Sequence, residues 1–171
     1  MEIYYKKGEI PSAEAYIDKL CKTTKMGFEE KNQIILGLYK AKVDEDIETL
    51  RNYIKHLETM LSMYPEEGRL WQFLSIGYMR TFRMEEAYQA CKKAVEYGVK
   101  DLGLYKNYII TQQFNASDEE RIKTCDDAIK LYPRECIFYI VKGYSLVNLK
   151  EYEKSIETLE KGLKYEKNDS D

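Results

Sequence analysis

Aromatic and small residues recur along the last three-fifths of this chain at a fixed interval of 34, and that period restricts the fold more than any single residue does. Trp71, Tyr105 and Tyr139 form one ladder. Ala94, Ala128 and Gly162 form a second, each followed directly by an aliphatic residue: Val95, Ile129 and Leu163. A third runs Tyr97, Leu131, Tyr165, and the dipeptides Tyr64-Pro65 and Tyr132-Pro133 lie two periods apart. A chain with three ladders in register is an array of one small unit, each copy packed on its neighbours.

The unit is a helical hairpin. Met84, Ala87, Cys91, Ala94 and Val95 fall at three- and four-residue steps, one stripe of an α-helix, and Leu70, Trp71, Leu74 and Tyr78 offer a facing stripe. The short turn at Thr81–Arg83 makes the two helices antiparallel neighbours. Ala94, Ala128 and Gly162 are expected where helices cross closely, leaving room for the ring of Trp71, Tyr105 or Tyr139, with Trp71 in the core. Ser117 with Glu120 spells a capping box that starts one helix, and Pro133 stops it.

The run Trp71-x2-Leu74-Ser75-x2-Tyr78, then Ala87 and Ala94, resembles the tetratricopeptide repeat, W-x2-L-G-x2-Y with a later A-x3-F and a closing Pro. Ser75, Cys91 and Val99 stand where that family has Gly, an aromatic residue and Pro. The next unit keeps Tyr105, Ala128 and Pro133 but carries Ile109, Gln112 and Arg121 at small or apolar positions, and the last keeps Tyr139, Gly143, Tyr152 and Gly162. The resemblance implies an all-α fold, an α-solenoid of antiparallel helix pairs wound as a tetratricopeptide-like superhelix. It predicts one domain over 1–171: a partial repeat at 1–25, a degenerate, elongated repeat at 28–67, repeats at 68–101, 102–135 and 136–169, and a polar tail at 166–171. Helices are expected at 28–42 (Phe28, Ile34, Ile35, Leu38, Tyr39), at 46–63 (Ile47, Leu50, Ile54, Leu57, Met60, Leu61) and at 152–165. Tyr4–Ile10 followed by Ala13, Ile17 and Leu20 resembles the turn and second helix of a further repeat. Either the chain opens on a half-repeat or Met1 begins a fragment of a longer array.

Composition narrows the function classes. Charged residues make up 33% and Pro occurs three times, which suits helices with short loops. With no apolar run near 18 residues and no signal-like start, the expectation is no membrane partner and a cytoplasmic location. Twenty-seven Lys plus Arg against 30 Asp plus Glu, without a basic block, argues against nucleic acid. Cys21, Cys91, Cys125 and Cys136 contain no C-x-x-C pair, so buried free thiols are expected. His56, the one histidine, is expected on a helix surface. Glu29-Glu30, Glu66-Glu67 and Asp118-Glu119-Glu120 sit at helix starts, where they complement the dipole. No catalytic residue, cofactor or metal ligand emerges, and the expectation is a non-enzymatic protein.

Function then lies in surface. In tetratricopeptide proteins the first helices of successive units line the inner, concave face that holds a partner peptide. On that pattern the candidate binding residues are Gln72, Phe73, Ile76, Met79 and Arg80, then Lys106, Asn107, Ile110 and Gln113, then Ile140, Tyr144 and Val147. Family members that grip acidic chaperone tails use a clamp of Lys, Asn and Arg. Here Asn107 matches, but Gln72, Ile76, Ile137 and Val141 do not, so a carboxylate would meet hydrocarbon at those positions. The expected partner is an apolar or amphipathic peptide or helix of another protein. A scaffold excised from a larger, possibly catalytic protein, and a regulator sensing a signalling peptide, are the alternatives. The last helix, with Ile156, Leu159 and Leu163, lacks a covering helix: either Lys150, Glu153, Lys154, Glu157 and Lys161 already make its outer face polar, or the C-terminal repeat pairs with a second copy in a homodimer or with further sequence downstream.

Overall fold

The computed structural model describes residues 10–39 and 46–166; all but the last residue of the Tyr4–Ile10 segment, the last residues of the 28–42 helix and the tail at 167–171 lie outside them. All regular structure in the described residues is helical: α1 (Ile10–Lys22), α2 (Phe28–Tyr39), α3 (Ile47–Leu61), α4 (Gly68–Arg80), α5 (Met84–Glu96), α6 (Leu102–Asn115), α7 (Asp118–Leu131), α8 (Cys136–Asn148) and α9 (Tyr152–Glu166). Several starts are capped by side chains that accept from free backbone N–H groups. Asp46 accepts from Glu48 and Thr49, Asp101 from Leu104, and Ser117 from Glu120 as the capping box predicts.

The turns after α4 and α8 share a closing geometry. Arg83 N donates to the Tyr78 carbonyl at 2.9 Å and Phe82 N to Met79; Glu151 N donates to Leu146 and Lys150 N to Val147. This pattern places one residue in the left-handed region, usually glycine. Here it is Phe82 (φ 58) and Lys150 (φ 62). The Phe82 ring is 86% exposed and gives up little packing if removed. Phe82→Gly is therefore expected to raise stability by about 0.5–1 kcal/mol, the left-handed penalty outweighing glycine's extra unfolded-state entropy. A urea melt in which Phe82→Gly loses stability contradicts this.

The chain forms two compact units, residues 1–90 and 91–171. In the first, Ile17, Phe28, Ile35, Tyr39, Leu50, Ile54, Leu57, Met60, Leu70, Leu74, Ala87 and Ala90 build the core. Gly77 lets α4 meet α3, since a Cβ there would lie 2.7 Å from Ile54 Cγ1. Three expectations are corrected in this unit. Ile47 is exposed at the start of α3, the stripe being carried instead by Tyr53 and His56 beside Leu50, Ile54, Leu57 and Met60. The α2 stripe runs through Lys31, not Ile34: Lys31 is fully buried, its Nζ donating to the Cys21 carbonyl at 2.9 Å and lying 4.9 Å from the Tyr64 ring centre. His56 is 3% exposed, with Nδ1 3.2 Å from Asp18 Oδ1 and its ring against Tyr39, so it is a buried residue and not a surface one.

Trp71 also differs from a fully enclosed core residue. It packs against the first unit's core but is half-buried, and its Nε1–H donates to the Pro65 carbonyl at 2.8 Å. Tyr139 repeats the contact in the second unit, its hydroxyl donating to the Pro133 carbonyl at 2.9 Å. Tyr105, which has Val99 in place of that proline, turns its ring edge to Tyr132. The aromatic ladder thus latches a helix to the loop before it wherever the loop carries Pro.

In the second unit α6 pairs with α7, α7 packs on α8, and α8 pairs with α9. Tyr105, Ile109, Cys125, Ala128 and Phe138 form its core. The small-residue ladder does what its spacing predicts: a Cβ on Gly162 would lie 2.7 Å from Tyr139 Cβ, and Gly143 is met by Leu159 at the same distance. Gln112, at an apolar position of the repeat, is fully buried and donates to Thr124 Oγ1 at 2.9 Å. Cys91 and Cys125 are buried at equivalent positions, and Cys21 is also enclosed, whereas Cys136 is half-buried at the head of α8. Burial pushes the Cys21 thiol up to about 11 and Cys125 to about 12, the charges of Asp18 and Asp126 adding to the shift, so both stay protonated at neutral pH.

Candidate functional site

Between α6 and α8, the first helices of two successive hairpins, the second unit carries a cleft of about 750 Å³. Lys106, Ile109, Ile110 and Gln113 line it from α6. Ile137, Val141, Tyr144, Ser145 and Asn148 line it from α8, with Glu135 and Cys136 at that helix's start and Arg121 reaching in from α7. Helical spacing explains the composition: 106, 109, 110 and 113 share one face of α6, and 137, 141, 144, 145 and 148 one face of α8. Ile110 is 50% exposed and Tyr144 69%, so the middle of the cleft presents hydrocarbon and a ring to water. Phe114, one turn beyond Ile110, is 81% exposed.

Charge sits at the two ends. At the N-terminal end of both helices Lys106 Nζ lies 2.7 Å from Glu135 Oε2, each partly exposed. At the other end Arg121 Nη2 donates to Asp118 Oδ1, which also accepts from Asn148 Nδ2 at 3.2 Å. A partly exposed pair like the first contributes little to stability. The second is more enclosed, the Arg121 and Asp118 side chains being 17% and 20% exposed.

The sequence-derived residues distribute as follows. Lys106, Ile110, Gln113 and Tyr144 come together in the cleft. Asn107 is half-buried on α6, and Ile140 and Val147 are exposed on α8, but none of these three lines it. In the first unit Phe73 and Met79 pack against the core, Gln72 is half-buried, and Ile76 and Arg80 on α4 face solvent. The reading from sequence did not place Ile109, Arg121, Glu135, Cys136, Ile137, Val141, Ser145 or Asn148 in the site, nor did it single out the exposed Phe114. It did contain a signal for Arg121, a long cation at a position where the repeat keeps a small residue. Among the described residues no group of three or more His, Cys, Asp or Glu is placed to hold a metal ion, and no helix is long and apolar enough to cross a membrane.

Paired helices of this length, joined by short turns and repeating every 34 residues, define an α-solenoid built from helical hairpins. Residues 138–169 match the family model of the tetratricopeptide repeat. It is 22% identical over 133 residues to a TPR repeat-containing protein of Methanocaldococcus jannaschii, a match covering 75% of this chain. The chain spans 23% of that protein's length. Among solved structures it is similar to MamA, with a TM-score of 0.68 at 15% identity, covering 98% of this chain and 94% of that one. It is also similar to YrrB, a TPR protein with an unusual peptide-binding site, with a TM-score of 0.64 at 11% identity over 77% of this chain and 66% of that one. These likenesses give the fold.

Proposed function

We propose that the protein is a non-enzymatic interaction module whose α6–α8 cleft holds an apolar or amphipathic peptide or helix of a partner protein. The observation that carries this is the exposed apolar lining, Ile110, Ile137 and Tyr144 opening onto a cavity large enough for several side chains. YrrB's fold likeness supports a peptide as the occupant. Lys106 with Glu135 at one end and Arg121 at the other supply direction. The test is selection of binders from a random-peptide display library. Peptides selected on the wild type should lose affinity by at least about tenfold on an Ile110→Glu, Tyr144→Glu variant whose circular dichroism is unchanged. Equal affinity for both proteins rules the cleft out.

A second reading has its own observation. Tyr152, Ile156 and Leu163 on α9 are all more than half exposed and fall on one flank of that helix. Pairing of this flank with a second copy predicts a dimer in sedimentation equilibrium that Ile156→Glu converts to monomer. A wild type that stays monomeric well above micromolar concentration removes this reading.

A further inference from the structure

We propose that the occupant of the cleft is an α-helix running antiparallel to α6 and α8, with Ile140 and Val147 as contacts beyond the cleft lining, an inference that rests on the docking reading above. The exposed apolar residues of α8, Ile137, Ile140, Tyr144 and Val147, follow one another by three, four and three residues, and each is more than a third exposed. That alternation is the spacing by which one helix seats its side chains between those of a neighbouring helix. On α6 the exposed pair Ile110 and Phe114 forms a second ridge, its members one turn apart. The cleft between the ridges is lined from Ile137 to Asn148 on α8, so its long direction follows the helices.

Spacing separates a helix from an extended segment. Helical rise puts successive α8 contacts about 5 Å apart, roughly 15 Å from Ile137 to Val147. Same-face residues of an extended chain stand about 6.7 Å apart, so by the fourth contact such a chain has overrun the seam by roughly 5 Å. A helix with apolar residues at the same alternating steps meets all four. Charge gives the direction. Neither α6 nor α8 has a basic residue in its last turn, whereas α7 and α9 carry Lys130 and Lys164 there. The Asn148 end of the cleft therefore holds two negative dipole ends, and Arg121 beside them is already held by Asp118. An antiparallel helix brings its positive N-terminal end to that place; a parallel one sets like ends together.

The probe is an acetylated, amidated peptide of about fifteen residues, with leucines at alternating three- and four-residue steps in a background of alanine, glutamine and lysine. Its twin carries proline in place of one central alanine on the polar face. In NMR titrations of the whole chain that follow the cleft methyl groups, the probe should bind at least about tenfold more tightly than the twin, because proline breaks the helix. Ile140→Gln and Val147→Gln, both outside the cleft lining, should each weaken the probe by about fivefold or more with circular dichroism unchanged. A nitroxide on the probe's N-terminus should broaden the Val147 methyls more than those of Ile137, and one on its C-terminus the reverse. Probe and twin bound alike, or a probe indifferent to both variants, overturns the helical occupant while the docking reading stands. Nitroxide effects in the opposite order overturn the antiparallel sense. Cleft methyls unmoved by either peptide overturn the docking reading with it.

Discussion

Phe138→Ala is expected to lower the unfolding free energy by about 3–5 kcal/mol, the largest single-site loss predicted for the second unit. Phe138 is fully buried at the centre of the cluster formed with Tyr105, Ile109, Cys125 and Ala128. Truncation removes the transfer free energy of the ring and leaves a cavity bounded by three helices that cannot collapse independently. A typical domain is stable by only about 5–15 kcal/mol, so the variant should unfold at markedly lower urea concentration. Tyr144→Ala, on the exposed side of the same helix, is the matched control and should stay within about 0.5 kcal/mol of wild type. If Phe138→Ala melts with that control, α8 is not docked as described.

The second large effect is one of sign. Helix propensity alone says that Gly→Ala inside a helix gains up to about 1 kcal/mol. At Gly37, where an added Cβ meets nothing within 4 Å, that gain should be seen. At Gly162 the same atom would sit 2.7 Å from Tyr139 Cβ, too near the backbone to swing aside. Gly162→Ala should therefore destabilise by about 1–3 kcal/mol through overpacking. Gly143→Ala should cost less, because its obstacle is the flexible end of Leu159. Denaturant melts of the three variants check the order, and a gain at Gly162 would mean that α9 does not approach α8 so closely.

The fold was legible because periodicity states which residues meet. Three ladders set the hairpin, the crossing points and the helix ends, and Ser117 with Glu120 marked a start that the backbone adopts. What stayed hidden depends on angles between elements. Lys31 and His56 carry polar labels, yet Lys31 finds the Cys21 carbonyl and the Tyr64 ring, and His56 finds Asp18 and Tyr39, on other helices or the loops between them. No local pattern announces such partners. Ile47 failed for the opposite reason: an apolar residue at the first turn lies beyond the core's edge. The cleft was half legible. Lys106, Ile110, Gln113 and Tyr144 follow from the face of a first helix, whereas Arg121 reaches the cleft from a second helix, and only three-dimensional packing shows that.

The measurement that bears most directly on cleft docking is methyl NMR mapping of the wild type with a library-selected peptide. Docking in the cleft predicts intermolecular contacts to Ile109, Ile110, Ile137 and Val141 methyl groups, with Ile156 and Leu163 on α9 unperturbed. Contacts confined to α9 or to the first unit, with the four cleft methyls unchanged, would contradict it.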